Sequence, residues 1–316
     1  MKHFTSIHDV QDPFELVKKA LAFKEKPWQP SLHEGKTVGL LFMNPSLRTR
    51  LSSIKAVQNL GAHAIVLDVT KDGWALAFED GVVMNGKEAE HIKEAAAVMG
   101  QYFDVLAIRT FPELKDREHD YSETVLKAFL AYAGVPVVSL ESATLHPLQG
   151  LADLITIHEH WHEKRVPKVV MTWAPHVKAL PQAVPNTFAE WMNAAPFDFV
   201  ITHPEGYELD PRFAGTAPVV NDQKEALAEA DFVYVKNWSS YDRYGEVLTN
   251  DESWRFSQAH LALTNNAKVM HCLPVRRGVV MDDDVLDSEQ AIHLDQAANR
   301  VFAAQAVFNE LLSWKS

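Results

Sequence analysis

A continuous apolar run that stops at a turn and hands over to a helix sets the strongest limit on this chain. Val38-Gly39-Leu40-Leu41-Phe42-Met43 has no polar member, the pattern of a strand covered on both faces. Asn44-Pro45 ends it. Ser46-Leu47-Arg48-Thr49-Arg50 then opens a helix-period segment that reaches Asn59-Leu60 and closes at Gly61. Two hydroxyls and two guanidiniums therefore lie where a strand passes into a helix N-terminus. Free backbone N–H groups and the positive end of the helix dipole make such a place attractive to anions. Arginine adds a planar fork that matches phosphate oxygens. A capping serine beside two solvated arginines would read the same, so both readings stand on this segment alone.

The same strand-to-helix rhythm fills the chain. Asp12-Pro13-Phe14-Glu15 predicts a helix start, with Asp12 as cap, Pro13 in the first turn and Glu15 closing a capping box; the helix runs to about residue 26. Strands are expected near 37–43, 63–69, 104–109 and 135–140, with helices near 46–60, 88–100 and 122–133. The second half predicts helices near 148–163 and 184–194, strands at 168–173, 197–202, 231–235 and 268–271, and a last helix near 296–314. Such alternation means parallel sheets covered on both faces. At 316 residues the chain is long enough for two doubly wound α/β domains, with the boundary in or near 141–150. Ligands of open α/β sheets collect beyond the carboxyl ends of the strands. Ser46, Glu141 and His146 follow strands of the first half and Arg109 ends one, and His176, Lys236 and Cys272 follow strands of the second. A cleft between the domains is the natural site.

Composition narrows the function classes. A single cysteine leaves no disulfide within the chain and no Cys-based zinc site, and fits a reducing, cytoplasmic setting. The N-terminus lacks the apolar core of a signal peptide, and no apolar run nears the ~18 residues of a membrane helix. A net charge of −12 speaks against nucleic acid as a partner. An anionic substrate must then be met by local cations, which singles out Arg48, Arg50, Arg109, Lys236, Arg276, Arg277 and Arg300. Walker, G-x-G-x-x-G and H-E-x-x-H patterns are absent, so no metal and no cofactor are expected. His158, His160 and His162 alternate and do not share a helix face; they read as solvated surface.

Three motifs recur in order along the chain: Ser46-Leu47-Arg48-Thr49-Arg50, His146-Pro147-Leu148-Gln149 and His271-Cys272-Leu273-Pro274. Together they resemble the carbamoyltransferases, the family of the aspartate and ornithine transcarbamylases, over the whole chain. The resemblance implies a carbamoyl-phosphate domain at 1–145, an amino-acid domain at 146–295 and a final helix, 296–316, that packs back on the first. It implies carbamoyl-phosphate contacts from Ser46, Leu47, Arg48, Thr49, Trp74, Arg109, His146, Pro147, Leu148, Gln149, Cys272, Leu273 and Arg300. Of these, Arg109, His146, Gln149 and Cys272 bear on the reacting carbonyl, and the Leu273–Pro274 bond is expected to be cis. Arg50 is expected to brace the loop. Carbamoyl transfer needs donors at an oxygen that gains charge, usually the largest catalytic term. Cys272 is not needed as a nucleophile, because carbamoyl phosphate is already activated.

The acceptor is read from departures within the family. The S-M-G motif of the ornithine branch is absent. Met171-Thr172-Trp173-Ala174-Pro175-His176, the proline-spaced 180–186 and Val235-Lys236-Asn237-Trp238 resemble instead the branch acting on Nα-acylated ornithine, whose second domain is knotted. Acetyl-type members carry Glu where this chain has Ala89, and a carboxylate there would repel a succinyl carboxylate. N-succinylornithine is thus the expected acceptor, met by Glu141, His176, Lys236, Arg276 and the space at Ala89. N-acetylornithine is second, plain ornithine or putrescine third, and an anion-binding paralogue without turnover is the non-enzyme alternative. Trp74 and Ala89 are implied to serve a neighbouring subunit's site, which makes a homotrimer.

Overall fold

The computed structural model describes residues 1–314. It divides into two compact α/β units, one of Met1–Glu113, Glu118–Leu151 and the residues from Arg300 on, the other of Leu114–Arg117 and Ala152–Asn299. Each is built on a parallel sheet.

The first unit contains β1 (Thr37–Phe42), β2 (His63–Asp68), β3 (Leu76–Ala77), β4 (Glu90–His91), β5 (Val105–Arg109) and β6 (Val137–Glu141). Its main sheet runs β2-β1-β5-β6, all parallel. The chain leaves β1 for β2 on one side and returns to β5 on the other, so the winding reverses between β1 and β5. Leu41, Leu106, Ile108 and Val137 of the sheet pack with Ile92, Ala96, Leu126 and Phe129 from the helices Ile92–Tyr102 and Thr124–Tyr132. Each such side chain contributes about 1.5–3 kcal/mol when fully buried. Gly39 is required in β1: a Cβ there would come within 2.9 Å of the Leu106 and Phe103 side chains. The first unit also holds the end of the helix His293–Leu312, where Gln305 accepts from Asn59 at 3.0 Å and donates to the Pro27 carbonyl at 2.7 Å.

One irregularity matters for function. Ile108 of β5 lies opposite Ser139 of β6, but Arg109 lies opposite Glu141, so Leu140 has no partner. This bulge brings Glu141 beside Arg109, on the same face of the sheet.

The second unit contains β7 (Lys168–Ala174), β8 (Asp198–Thr202), β9 (Val219–Val220), β10 (Phe232–Asn237) and β11 (Lys268–Met270), ordered β11-β10-β7-β8-β9 and parallel. Its winding reverses between β7 and β10. The helix Ala183–Ala194 sets Phe188 on Tyr234, with ring centroids 4.0 Å apart.

Three helix edges differ from expectation through a bond from a side chain or a remote backbone group. The first helix of the anion motif begins at Arg48 rather than Ser46. Asn44 Oδ1 accepts from Phe111 N at 2.8 Å and Arg109 donates to the Pro45 carbonyl at 3.0 Å, which keeps the preceding residues in a loop. The helix expected from 88 begins at Ile92, because Ala89 N donates to Ala75 O and β4 pairs with β3. The helix expected to 163 stops at His160, where Trp161 donates to the Arg165 carbonyl and packs under its guanidinium. Asp12 caps as expected, but Glu15 pairs with Lys18 instead of closing a capping box. The last helix covers His293–Leu312, and residues 315–316 of the expected final segment lie outside the described residues. His160 pairs with Asp295 at 3.1 Å, so that histidine is not simply solvated surface. No helix among the described residues is long and apolar enough to cross a membrane.

Candidate active site

In the first unit the reversal between β1 and β5 gathers an array of buried cations. Arg109 is the last residue of β5 and is buried. Its Nε and Nη2 donate to Glu141 Oε2 at 3.1 and 2.9 Å, and its Nη1 donates to the Pro45 carbonyl at 3.0 Å. This ties the end of β5 to both the bulge in β6 and the turn before the anion motif. Thr49 is buried in the first turn of its helix, and Thr49 Oγ1 accepts from Arg300 Nη2 at 2.6 Å. The same Nη2 lies 3.3 Å from His146 Nε2. A guanidinium can only donate, so Nε2 accepts and the ring proton belongs on Nδ1. Burial, then the cations of Arg300 and Arg109, hold the His146 pKa well below its ordinary 6.5. The imidazole is neutral at physiological pH and adds no charge where two guanidiniums already repel one.

The rest of the anion motif surrounds this array. Ser46 and Arg48 are half-buried, Leu47 is exposed, and Leu47 caps the helix without a side-chain bond. Arg50 lies over the Phe42 ring, 4.9 Å from its centroid, in keeping with a brace. Pro147, Leu148 and Gln149 form the first turn of the helix Pro147–His160, with Leu148 and Gln149 buried and Gln149 N donating to the His146 carbonyl at 2.8 Å. Trp74 is 60% exposed with its indole donating to Glu90, and Ala89 is exposed.

The second unit places its candidates at its own reversal. His176 follows β7, and Lys236 lies buried in β10. Burial, followed among the lowering causes by the cations of Arg276, Lys236 and Lys178, depresses the His176 pKa. A chain of net charge −12 thus concentrates positive charge at one point. The turn after β11 is tied down from behind. Leu273 has φ 57°, its bond to Pro274 is cis, and its N–H donates to His271 Nδ1 at 2.8 Å. His271 N donates to Gln296, and Gln296 donates to Asp153 at 2.6 Å. Tyr234 lies between Asp153 and Cys272; burial, then those neighbours, push its phenol well above 10.0, so it stays protonated. Among the described residues no cluster of His, Cys, Asp or Glu is suited to a metal.

The family model for the carbamoyl-phosphate-binding domain of aspartate/ornithine carbamoyltransferases matches residues 2–159, and that for the aspartate/ornithine-binding domain matches residues 182–311. The chain belongs to the aspartate/ornithine carbamoyltransferase family. An N-succinylornithine carbamoyltransferase of Bacteroides thetaiotaomicron is 50% identical to this carbamoyltransferase over 315 residues, covering 99% of each chain. An N-acetylornithine carbamoyltransferase of Xanthomonas axonopodis pv. citri is 36% identical, covering 99% of this chain and 97% of the relative. Among solved structures, a glutamate-to-alanine mutant of N-acetyl-L-ornithine transcarbamylase, complexed with carbamyl phosphate and N-succinyl-L-norvaline, superposes with a TM-score of 0.90 at 35% identity, covering 98% of this chain and 100% of that one.

Several residues that shape this carbamoyltransferase's site escaped the sequence reading. Asn44 is a turn signal in the sequence, yet its side chain holds the Phe111 backbone; its place between a buried strand and a proline is the available clue. Asp153 and Gln296 meet across 143 positions, and no local pattern announces that pairing. Glu123, which supports the loop before His146, gave no signal either.

Proposed function

We propose that this carbamoyltransferase moves the carbamoyl group of carbamoyl phosphate onto the side-chain amine of N-succinyl-L-ornithine, giving N-succinyl-L-citrulline and phosphate on a route to arginine. The observation that carries the acceptor is the cation group around His176, formed by Lys178, Lys236 and Arg276. Both acylornithines bring an α-carboxylate to it, and only a succinyl group brings a second carboxylate to match the several cations. Ala89 supports the reading, because an N-acetyl-L-ornithine transcarbamylase with its glutamate replaced by alanine, proline or serine is described in complex with N-succinyl-L-norvaline. Overall likeness at 50% identity agrees with it.

In this reading Ser46, Leu47, Arg48 and Thr49 hold the phosphate of carbamoyl phosphate. Arg109, His146 and Thr49 donate to its carbonyl oxygen, with Pro147, Leu148 and Gln149 shaping the pocket and Gln149 reading the carbamoyl amide. Arg300 steadies Thr49 and His146. Cys272 and Leu273 face the carbamoyl group, and Glu141 takes a nitrogen of the acceptor. The neutral amine attacks the carbonyl carbon, a C–N bond forms, the bond to the phosphate oxygen breaks, and the amine gives up a proton. Charge grows on the carbonyl oxygen during the attack, where prepositioned donors act most strongly.

We also propose a cytoplasmic homotrimer in which Trp74 and Ala89 serve a neighbouring subunit, and a knotted second domain. For the knot, the support is Gln182: its buried amide donates to both the Glu208 and Ser239 carbonyls, at 3.1 and 3.2 Å. The division into a carbamoyl-phosphate part at 1–145 and an acylornithine part at 146–295 belongs to the same proposal. A colorimetric assay for ureido product with N-succinylornithine, N-acetylornithine, ornithine and putrescine tests the function. The succinyl compound should show the highest kcat/KM, and a higher value for plain ornithine would sink the assignment.

A further inference from the structure

We propose that Glu123, a residue with no contact to the reacting groups, is the positioning residue that aims His146. It lies just before the helix Thr124–Tyr132, at φ 54° and ψ 33°, a left-handed conformation that glutamate rarely adopts. Such backbone persists only where its surroundings fix it. Here the surroundings are the loop between β6 and His146. One carboxylate oxygen, Glu123 Oε1, accepts from Ser142 Oγ at 2.7 Å, from Thr144 N at 2.9 Å and from Thr144 Oγ1 at 2.6 Å. Three donors on a single anionic oxygen make a compact, charge-assisted knot.

The loop is short and leaves little slack. Ser142 N donates to the Leu145 carbonyl at 2.8 Å, and Leu145 N returns a bond to Ser142 Oγ at 3.2 Å. His146 follows at once, and its carbonyl accepts from Gln149 N. Fixing Ser142 and Thr144 therefore fixes the direction in which the chain delivers His146 to Arg300. The left-handed turn at Glu123 is the means by which its side chain reaches back to this loop, since a right-handed residue at a helix start would send it elsewhere.

This rests on the proposed carbonyl-oxygen role of His146, and the test separates the two. Wild-type turnover with the best of the four amines tests the function; ratios among variants test Glu123. Glu123→Ala should lower kcat by about 10²-fold, the usual scale for a displacement of about 1 Å, with a smaller change in the KM for carbamoyl phosphate. Glu123→Gln keeps an acceptor oxygen and should recover most of the loss. In a His146→Ala background, Glu123→Ala should cost less than about 3-fold, because residues acting through one group are not additive. An equal loss in both backgrounds, or no loss of kcat in the wild-type background, overturns the proposal.

A second measurement needs no substrate. In a histidine NMR titration of Glu123→Ala and of Thr144→Val, the ring of His146 should titrate closer to its ordinary value, having left its buried place between cations. Loss of the Glu123 charge alone would move it the other way. An unmoved or further lowered value in folded protein overturns the positioning role. Should Glu123→Ala fail to fold, Thr144→Val and Glu123→Gln carry both arms.

Discussion

Arg300 Nη2 and Thr49 Oγ1 are 2.6 Å apart although 251 positions separate the two residues. The bond joins the last helix to the first turn of the anion motif, and the same nitrogen reaches His146. Arg300→Met should lower kcat/KM for carbamoyl phosphate by roughly 10- to 150-fold, since hydrogen bonds from a charged group contribute about 1.5–3 kcal/mol. It should also raise the His146 pKa, because Arg300 is a cation that lowers it. The pH–kcat/KM profile of the variant should show its acid limb shifted upward.

Arg109 and Glu141 predict an asymmetric response to mutation. Arg109→Met leaves a buried carboxylate without its cation and should destabilise the protein by about 3–5 kcal/mol. Glu141→Gln should cost less, because Arg109 keeps the Pro45 and Asn44 carbonyls as acceptors. Replacing both by apolar residues should recover most of the stability and none of the activity. Urea unfolding of the three variants measures this.

Acid should destabilise the fold through its histidines. His3, His146, His176, His203, His260 and His293 all have folded-state pKa values below 6.5, with burial as the largest cause. Below pH 6.5 the unfolded chain binds more protons than the folded one, so stability falls as pH drops and levels off once the folded groups also protonate. Above that range these groups contribute no slope. Tm measured from pH 7.5 downward should fall, and His146→Asn should make the fall shallower.

Ala89→Glu should turn the preference toward N-acetylornithine. The added carboxylate repels a succinyl carboxylate and leaves an acetyl group unaffected. A few kcal/mol of repulsion changes the ratio of specificity constants by roughly 10²-fold or more. An unchanged ratio in folded mutant that still binds carbamoyl phosphate would remove position 89 from the acyl site.

The alternation of strands and helices was legible because buried parallel strands are continuous apolar runs, as in Val38–Met43. The anion motif was legible because its residues are neighbours in sequence. Element edges were less so: Arg48 and Ile92 are boundaries set by bonds with Arg109 and Ala75, which no local window contains, and His160 is one set by a Trp161 side-chain bond to the Arg165 carbonyl, which periodicity does not show. Short pieces such as β3, β4 and β9 have two residues each, too few to show a period. The support around His146 stayed hidden for a related reason, since Glu123 acts on donors 19 and 21 positions away.

The unpaired Leu140 gives β6 a phase of its own. Pairing Leu140 with Arg109 would restore an unbroken ladder beside β5 and turn Glu141 away from Arg109, because successive strand side chains face opposite ways. Everything up to His146 would lie one step further along. A tidier sheet would thus be a worse catalyst, and an insertion tolerated in an exposed loop should abolish activity in this stretch of five residues. The place of His146 is timed by a deliberate miscount in the sheet beneath it.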